Sequence, residues 1–242
     1  MSSKGKCYYC GREISKRGIL RHLKACKERK KYLEDNIKQA NGKMEMFILK
    51  IEADDRYQCS LNDYWMYIGI DKRATLKKLD QFLRDIWLEC CGHLSKFTIE
   101  ELDYESEVDY AWCGDVSSKN MDIKIKDVLQ VGMKANYIYD YGSSTSLQIS
   151  VLGDYKCGKN NKDIELMTRN NFVDITCDYC DKKALYYCYD REAHICENCI
   201  GDNDCEEIME INNSNSPRDG VCGYFGDIEN EKQYLPENIM KL

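Results

Sequence analysis

Closely spaced cysteine pairs constrain this chain more than any other feature of its sequence. Of its 15 cysteines, three lie before residue 30 and seven between residues 177 and 222. The first residues are polar and lack the apolar core of a signal peptide, and no apolar run is long enough to span a membrane. We therefore expect a cytoplasmic protein away from membranes, where thiols stay reduced. There, clustered Cys-x-x-Cys pairs predict metal ligands rather than disulfides.

The N-terminal segment has the spacing Cys-x2-Cys, then His-x3-Cys, of a small zinc finger. Its predicted ligands are Cys7, Cys10, His22 and Cys26. Ser15 is a candidate cap for a helix that starts at Lys16 and continues toward residue 37. On such a helix, His22 and Cys26 lie one turn apart and share a face, so that both can complete a tetrahedral site. So short a segment has little core of its own, and zinc would supply the missing folding free energy.

Positive charge is concentrated in the same segment. Residues 1–43 contain 13 Lys and Arg against 4 Asp and Glu, a net charge of +9, whereas the whole chain carries −7. This asymmetry favours an anionic partner for the basic end. The candidate nucleic-acid contacts on the predicted helix are Lys16, Arg17, Arg21 and Lys24. A single finger reads only about three base pairs, so the pattern favours contact without strong sequence specificity. A solvated basic face on a structural or protein-binding finger remains the alternative.

Residues 43–156 predict an α+β domain, an antiparallel sheet with helices on one face. Apolar and aromatic runs predict strands near residues 44–53 and 63–70, and another at 96–99. Between them, apolar residues at three- and four-residue steps predict an amphipathic helix with Thr75 as its N-cap. A short helix is expected at 125–130, and two final strands form a hairpin around Gly142 and Ser143.

The same stretch resembles the Ri-plasmid open-reading-frame-three-like family. The matching residues are Trp65 in the second strand, His93, Leu94 and Phe97 after the helix, and Tyr139, Asp140, Tyr141 and Gly142 in the hairpin. Members of that family are often labelled as transposon-resolvase passengers. The resemblance implies the same α+β fold here and raises the alternative of a DNA-processing enzyme.

This chain departs from the family where the family is polar. After the hairpin glycine, the family usually has Asp, Trp and His, and this chain has Ser143, Thr145 and Leu147. The two arginines that usually follow the strand tryptophan are replaced by Met66 and Tyr67. Only His93 and Asp140 would remain of a polar site. The simpler interpretation makes the first a structural histidine and the second a turn-forming residue.

The C-terminal part holds two Cys-x2-Cys knuckles, with a short hairpin expected between them. They predict a four-cysteine zinc site composed of Cys177, Cys180, Cys196 and Cys199. Cys188, Cys205 and Cys222 are left over, and His194 or Asp190 is available as a fourth ligand for a second zinc. This order resembles a B-box or related cross-brace finger, in which alternate ligand pairs bind two metals. The alternative is that these cysteines are buried apolar residues.

The sequence therefore predicts a basic finger at 1–42, an α+β domain at 43–156, a cysteine-rich module at 174–226 and a tail at 227–242. Two to three zinc ions are expected per chain. We find no phosphate-cradling glycine loop and no His-Glu-x-x-His motif, so no catalytic residue and no small-molecule substrate are predicted. The favoured function is a non-enzymatic zinc-binding protein whose finger contacts nucleic acid. The alternatives are the DNA-processing enzyme and an adaptor that binds only proteins.

Overall fold

A ten-stranded sheet forms the body of the protein. The computed structural model describes residues 3–54, 64–89, 91–107, 118–159, 161–202, 205–211, 214–219, 221, 224, 226 and 228–237. The strands of this sheet are β1 (Lys4–Cys7), β2 (Glu13–Ser15), β3 (Lys43–Ala53), β4 (Trp65–Asp71), β5 (Ser95–Ile99), β6 (Leu102–Glu105), β7 (Lys119–Asn120), β8 (Lys134–Tyr139), β9 (Thr145–Gly158) and β10 (Ile164–Asn170). Their order is β2-β1-β10-β4-β3-β9-β8-β5-β6-β7. All neighbours are antiparallel except β6 and β7.

Four α-helices accompany the sheet among the described residues. They are α1 (Ile19–Ala25), α2 (Lys27–Gln39), α3 (Leu76–Leu83) and α4 (Ile228–Lys232). The side chain of Thr75 accepts a hydrogen bond from the amide of Lys78, which confirms the predicted cap of α3. A π-helical turn at Arg84–Leu88 continues α3, and the helix expected at 125–130 is a 3-10 turn, Ile125–Asp127. No helix in the described part of the chain has the length and apolar character needed to cross a bilayer.

Both faces of the central strands are buried. In β3, Phe47 and Leu49 contact the main apolar core under α3, whereas Met46 and Ile48 face the opposite side. Successive strand residues point to opposite faces, so a strand buried on both sides needs a cover on each. The α+β class and the antiparallel sheet are confirmed. The sequence predicts helices on one face only, and the structure adds α1 and α2 as a second helical layer.

The N-terminal finger is part of the main sheet rather than a separate domain. Its β1 pairs with β10, which also pairs with β4. The sequence patterns predict no strand in residues 157–173, so they miss β10. Through this strand, the finger expected at 1–42 and the domain expected at 43–156 share one sheet. The predicted tail at 227–242 also packs on the body, since the amide of Leu166 donates to the carbonyl of Tyr234 at 2.8 Å.

A second, three-stranded sheet supports the C-terminal cysteines. It comprises β11 (Tyr186–Cys188), β12 (Ala193–Ile195) and β13 (Ile208–Glu210), in the order β12-β11-β13. The first two strands form the hairpin expected between the knuckles. The module predicted at 174–226 does not stay with this sheet to its end. Ser216 contacts the body of the protein, where its hydroxyl donates to the carbonyl of Trp87 at 2.5 Å.

Candidate metal centres

The four ligands predicted at the N-terminus come together. The ligand atoms of Cys7, Cys10, His22 and Cys26 all lie within 4.8 Å of one another. The Cys10 Sγ is 3.4 Å from the His22 Nε2. A tetrahedral ion with metal–sulfur bonds of about 2.3 Å has ligand–ligand edges of about 3.8 Å. The spacing therefore fits one four-coordinate metal ion better than a set of hydrogen bonds between thiols.

Local backbone geometry aims these ligands inward. Gly11 adopts φ +71° after the first cysteine pair, and its amide donates to the Cys7 carbonyl at 2.8 Å. Cys26 has an extended backbone, with ψ 119°, and separates α1 from α2. The single helix expected from residue 16 to 37 is therefore broken at the ligand. A 3-10 turn, Lys16–Gly18, precedes α1, and the Ser15 side chain makes no capping hydrogen bond.

The N-terminal ligands differ in their electrostatic surroundings. Burial raises the pKa of the Cys7 thiol to about 12. Burial also acts on Cys10, but hydrogen bonds from the backbone and side chain of Arg12 outweigh it and lower the pKa of that thiol. Burial and the nearby Arg12 charge lower the pKa of His22, which favours the neutral imidazole that binds metals. A metal ion would bind these cysteines as thiolates.

A buried polar network attaches the finger to the sheet. Glu165 on β10 is fully buried, and its carboxylate accepts hydrogen bonds from Tyr9 and, at 2.8 Å, from Tyr32 on α2. The Arg29 guanidinium lies 4.6 Å from the centre of the Tyr155 ring. Sequence patterns alone miss this network because Glu165 lies in the strand that they leave unassigned. Glu165 lies between Ile164 and Leu166, and this apolar–polar–apolar alternation is typical of a strand.

The first C-terminal site also assembles as predicted. The Sγ atoms of Cys177, Cys180, Cys196 and Cys199 all lie within 4.8 Å of one another. Cys180 Sγ is 3.6 Å from Cys196 Sγ and 3.7 Å from Cys199 Sγ. These values again match the edges of a tetrahedron around one metal ion.

Backbone amides favour a thiolate in this cluster. Burial raises the pKa of Cys177, but hydrogen bonds from the amides of Cys196, Tyr179 and Cys180 outweigh it and lower the value to about 6. Hydrogen bonding to Cys180, and then to Cys196, raises the pKa of Cys199 to about 12. The turn of the first knuckle therefore presents its amides to sulfur, as is usual where a thiolate binds a metal.

The second, interleaved site does not form among the described residues. Cys188 and Cys205 are joined by a disulfide, with their Cα atoms 6.1 Å apart. His194 Nδ1 lies 3.5 Å from Asp178, and Asp190 accepts hydrogen bonds from the amides of Glu206 and Glu207. The structure groups none of the ligands predicted for this site, Cys188, Cys205, His194 and Asp190, around a common centre in the described part of the chain, and the first two cysteines are bonded to each other instead. Cys222 lies outside the described residues.

The four basic candidates divide into two groups. Lys16 pairs with Glu52 on β3 at 3.1 Å, so it helps to hold the finger on the sheet. Arg17, Arg21 and Lys24 are exposed on the side of the finger that faces solvent. Three further lysines at the start of α2, at positions 27, 30 and 31, are also exposed. Among the exposed charged side chains from residue 17 to residue 31, Lys and Arg therefore outnumber the one acidic residue, Glu28.

His93 and Asp140 also meet, and Asp140 has structural contacts besides. Asp140 Oδ2 lies 3.4 Å from His93 Nδ1 and 3.2 Å from Arg218, which is fully buried. The other carboxylate oxygen accepts hydrogen bonds from the amides of Gly142 and Ser143, and Asp140 itself has φ +63°. Asp140 thus stabilises the turn, in agreement with the simpler interpretation. The sequence patterns do not indicate that Arg218 pairs with Asp140, although the surrounding Ser-Pro-Arg-Asp-Gly segment is typical of a turn.

Comparisons with known proteins do not identify the chain. No family model matches it, and no curated protein matches it. Among solved structures, the chain is similar to a protein of unknown function from Methanosarcina mazei Go1. The TM-score is 0.41 and the identity 12%, and the match covers 51% of this chain and 67% of that one. Likeness at this level carries no argument, so the resemblance to the Ri-plasmid family stays a prediction.

Proposed function

We propose that this protein is a non-enzymatic binding protein that holds two structural zinc ions and uses its N-terminal finger to contact nucleic acid. The observation that carries the proposal is the convergence of two complete ligand sets, one of three cysteines with a histidine and one of four cysteines. Neutral imidazole and thiolates in tetrahedral arrangement are the ligands that zinc prefers in proteins. Catalytic zinc keeps one position open for water or substrate, whereas each set here has four protein ligands.

The zinc assignment is tested by native mass spectrometry of the full chain. We expect two zinc ions per molecule, one fewer in His22→Ala and one fewer in Cys180→Ser. The control is Cys157→Ser, a buried cysteine outside both sets, which should keep both ions. A wild-type chain that binds no zinc would refute the proposal, and an unchanged zinc content in both ligand variants would refute the assigned sites.

The nucleic-acid contact rests on charge and position. Arg17, Arg21 and Lys24 are all exposed on the finger. The zinc site fixes this surface because His22 lies on α1 and Cys26 lies directly after its last residue. Contact with phosphates releases counterions, so binding that uses these side chains must weaken steeply with salt.

Fluorescence anisotropy with a short labelled duplex at two salt concentrations tests this contact. Replacing Arg17, Arg21 and Lys24 together by alanine should weaken binding. It should also lower the salt slope by about one unit for each phosphate that the variant no longer neutralises. The matched control removes the same charge from exposed lysines on the α3 side of the sheet, Lys77, Lys124 and Lys126. Equal effects of the two triple variants would contradict the assigned surface, since non-specific attraction depends on total charge alone.

A protein-binding adaptor is the second candidate, favoured by the C-terminal module. Tyr179, Tyr189 and Ile208 are large apolar side chains that remain 41–47% exposed there. Aromatic residues are enriched at protein interfaces. Two results together would favour the adaptor over the nucleic-acid contact. The protein would bind neither duplex nor single-stranded nucleic acid at low salt, and a protein partner captured by the wild type would be lost in Tyr179→Ser/Tyr189→Ser.

A further inference from the structure

A cleft of about 390 Å³ lies beside β1, on the face opposite the N-terminal metal site. Consecutive strand residues point to opposite faces. Cys7 and Tyr9 belong to the apolar cluster of the finger, whereas Tyr8 packs against the core under α3. Lys6 and Tyr8 line the cleft. Its volume lies within the range of about 300 to 1,000 Å³ that small-molecule sites occupy.

Distant parts of the chain supply the walls. Arg169 lies near the end of β10, Ser214 and Asn215 come from the segment before the buried Arg218, and Glu231 comes from α4. The cleft carboxylate is already engaged, because Glu231 accepts from both Tyr8 and Arg169. The carbonyl of Asn215 accepts from Arg169 Nη2 at 2.5 Å. These acceptors are therefore satisfied within the protein.

Donors in the cleft are not satisfied in the same way. The Ser214 hydroxyl and the Arg169 Nε are buried and have no hydrogen-bond partner among the described residues. Ser214 is 9% exposed and Arg169 is 6% exposed, so both side chains belong to the wall of the cleft and not to the open surface. Lys6 adds an exposed ammonium group at the rim. Buried polar groups in native proteins nearly always have partners, so two buried donors at one cleft point to an external acceptor.

The remaining lining is apolar. The side chain of Phe172 is 55% exposed at the cleft, and Ile86 lies on another wall. An exposed aromatic ring beside unsatisfied donors suits a ligand with a charged end and a flat or apolar body. We propose that this cleft binds a small organic oxyanion, a carboxylate or phosphate attached to an aromatic or apolar group. The oxyanion accepts from Ser214, Arg169 and Lys6, and the body lies against Phe172.

Isothermal titration of the full-length, zinc-loaded protein with phenyl phosphate, benzoate and neutral benzyl alcohol tests the site. We expect saturable binding of at least one anion and weaker or absent binding of the alcohol; the comparison of the two anions decides between phosphate and carboxylate. Ser214→Ala should weaken anion binding about tenfold, since it removes a hydrogen bond to a charged group. Its melting temperature should not fall, because the hydroxyl has no partner among the described residues.

Two further variants keep the result decisive. Lys6→Gln alters an exposed side chain and should also weaken the anion, whereas Lys126→Gln, on another part of the surface, should not. Replacing Arg17, Arg21 and Lys24 by alanine should leave anion binding unchanged. The proposal is overturned if neither anion binds, if Ser214→Ala and Lys6→Gln both bind like the wild type, or if the triple variant abolishes binding. The last result would place the anion on the basic helices instead.

Discussion

Removing one hydroxyl from the buried network should loosen the finger from the sheet. Tyr32 on α2 donates to Glu165 Oε2 at 2.8 Å, and its oxygen is 2.9 Å from Asn161 Oδ1. Tyr32 is 8% exposed and Glu165 is fully buried. Tyr32→Phe keeps the ring and its packing and removes only the donor. The variant should therefore lower the free energy of unfolding through the unsatisfied carboxylate, with little contribution from a cavity.

The size of the effect depends on the charge of Glu165. Burial raises the pKa of this carboxyl, and the hydrogen bonds from Tyr9 and Tyr32 and the charge of Arg29 only partly offset the effect. While Glu165 is protonated, the missing hydrogen bond is a neutral one, with a cost of about 1 kcal/mol. Once Glu165 ionises, the bond is to a charged group, and the cost grows to about 1.5 to 3 kcal/mol. The destabilisation should therefore increase with pH.

Urea unfolding followed by tryptophan fluorescence measures this difference. Trp65 is buried in the same apolar cluster as Tyr32 and reports on this face of the sheet. The free concentration of zinc, the metal that we propose for both sites, must be fixed, because a ligand that binds only the folded state shifts apparent stability. The control is Tyr141→Phe, whose ring is 48% exposed and whose loss of hydroxyl should change stability by less than about 0.5 kcal/mol. If Tyr32→Phe matches this control at every pH, the network does not fasten the finger.

Three other substitutions test the attachment of the finger and the C-terminal segment. Burial raises the pKa of Glu165 in the folded state, so protonation of this carboxyl stabilises the fold below the ordinary carboxyl pKa, and this stability is lost as pH rises through the folded value. Glu165→Gln cannot ionise, so its free energy of unfolding should fall less than that of the wild type over this pH range. Identical pH profiles of the two proteins would contradict the raised pKa. Gly5→Ala should increase hydrogen exchange in β1, since its Cβ would lie 2.1 Å from the Arg169 carbonyl oxygen; unchanged protection would show that the strand adapts. Arg218→Met should lower the free energy of unfolding in urea by about 3 to 5 kcal/mol, because Asp140 loses its buried partner. A decrease below about 1 kcal/mol would show that this ion pair is dispensable.

Local patterns in the sequence were enough to predict both groups of candidate metal ligands. Ligands such as Cys7 and Cys10, or Cys196 and Cys199, lie within a few residues of each other, so their spacing already reflects the turn that brings them together. The helix period of α3, its Thr75 cap and the β8–β9 hairpin are equally local, and all three appear in the structure. Short-range geometry depends mainly on backbone conformation, which residue types strongly bias.

Contacts between distant parts of the chain were decided by the tertiary structure. Tyr9 and Glu165 are 156 residues apart, and neither position alone indicates that α2 and the finger cover the second face of the sheet. Likewise, the spacing of Cys188 and Cys205 is compatible with a metal site or a disulfide, and only their positions in the folded module select the disulfide. The sequence by itself determined which residues can bind metal. Which of them meet, and what the rest of the chain packs against, depended on how the ten strands are ordered, because the order sets distances that no local pattern encodes.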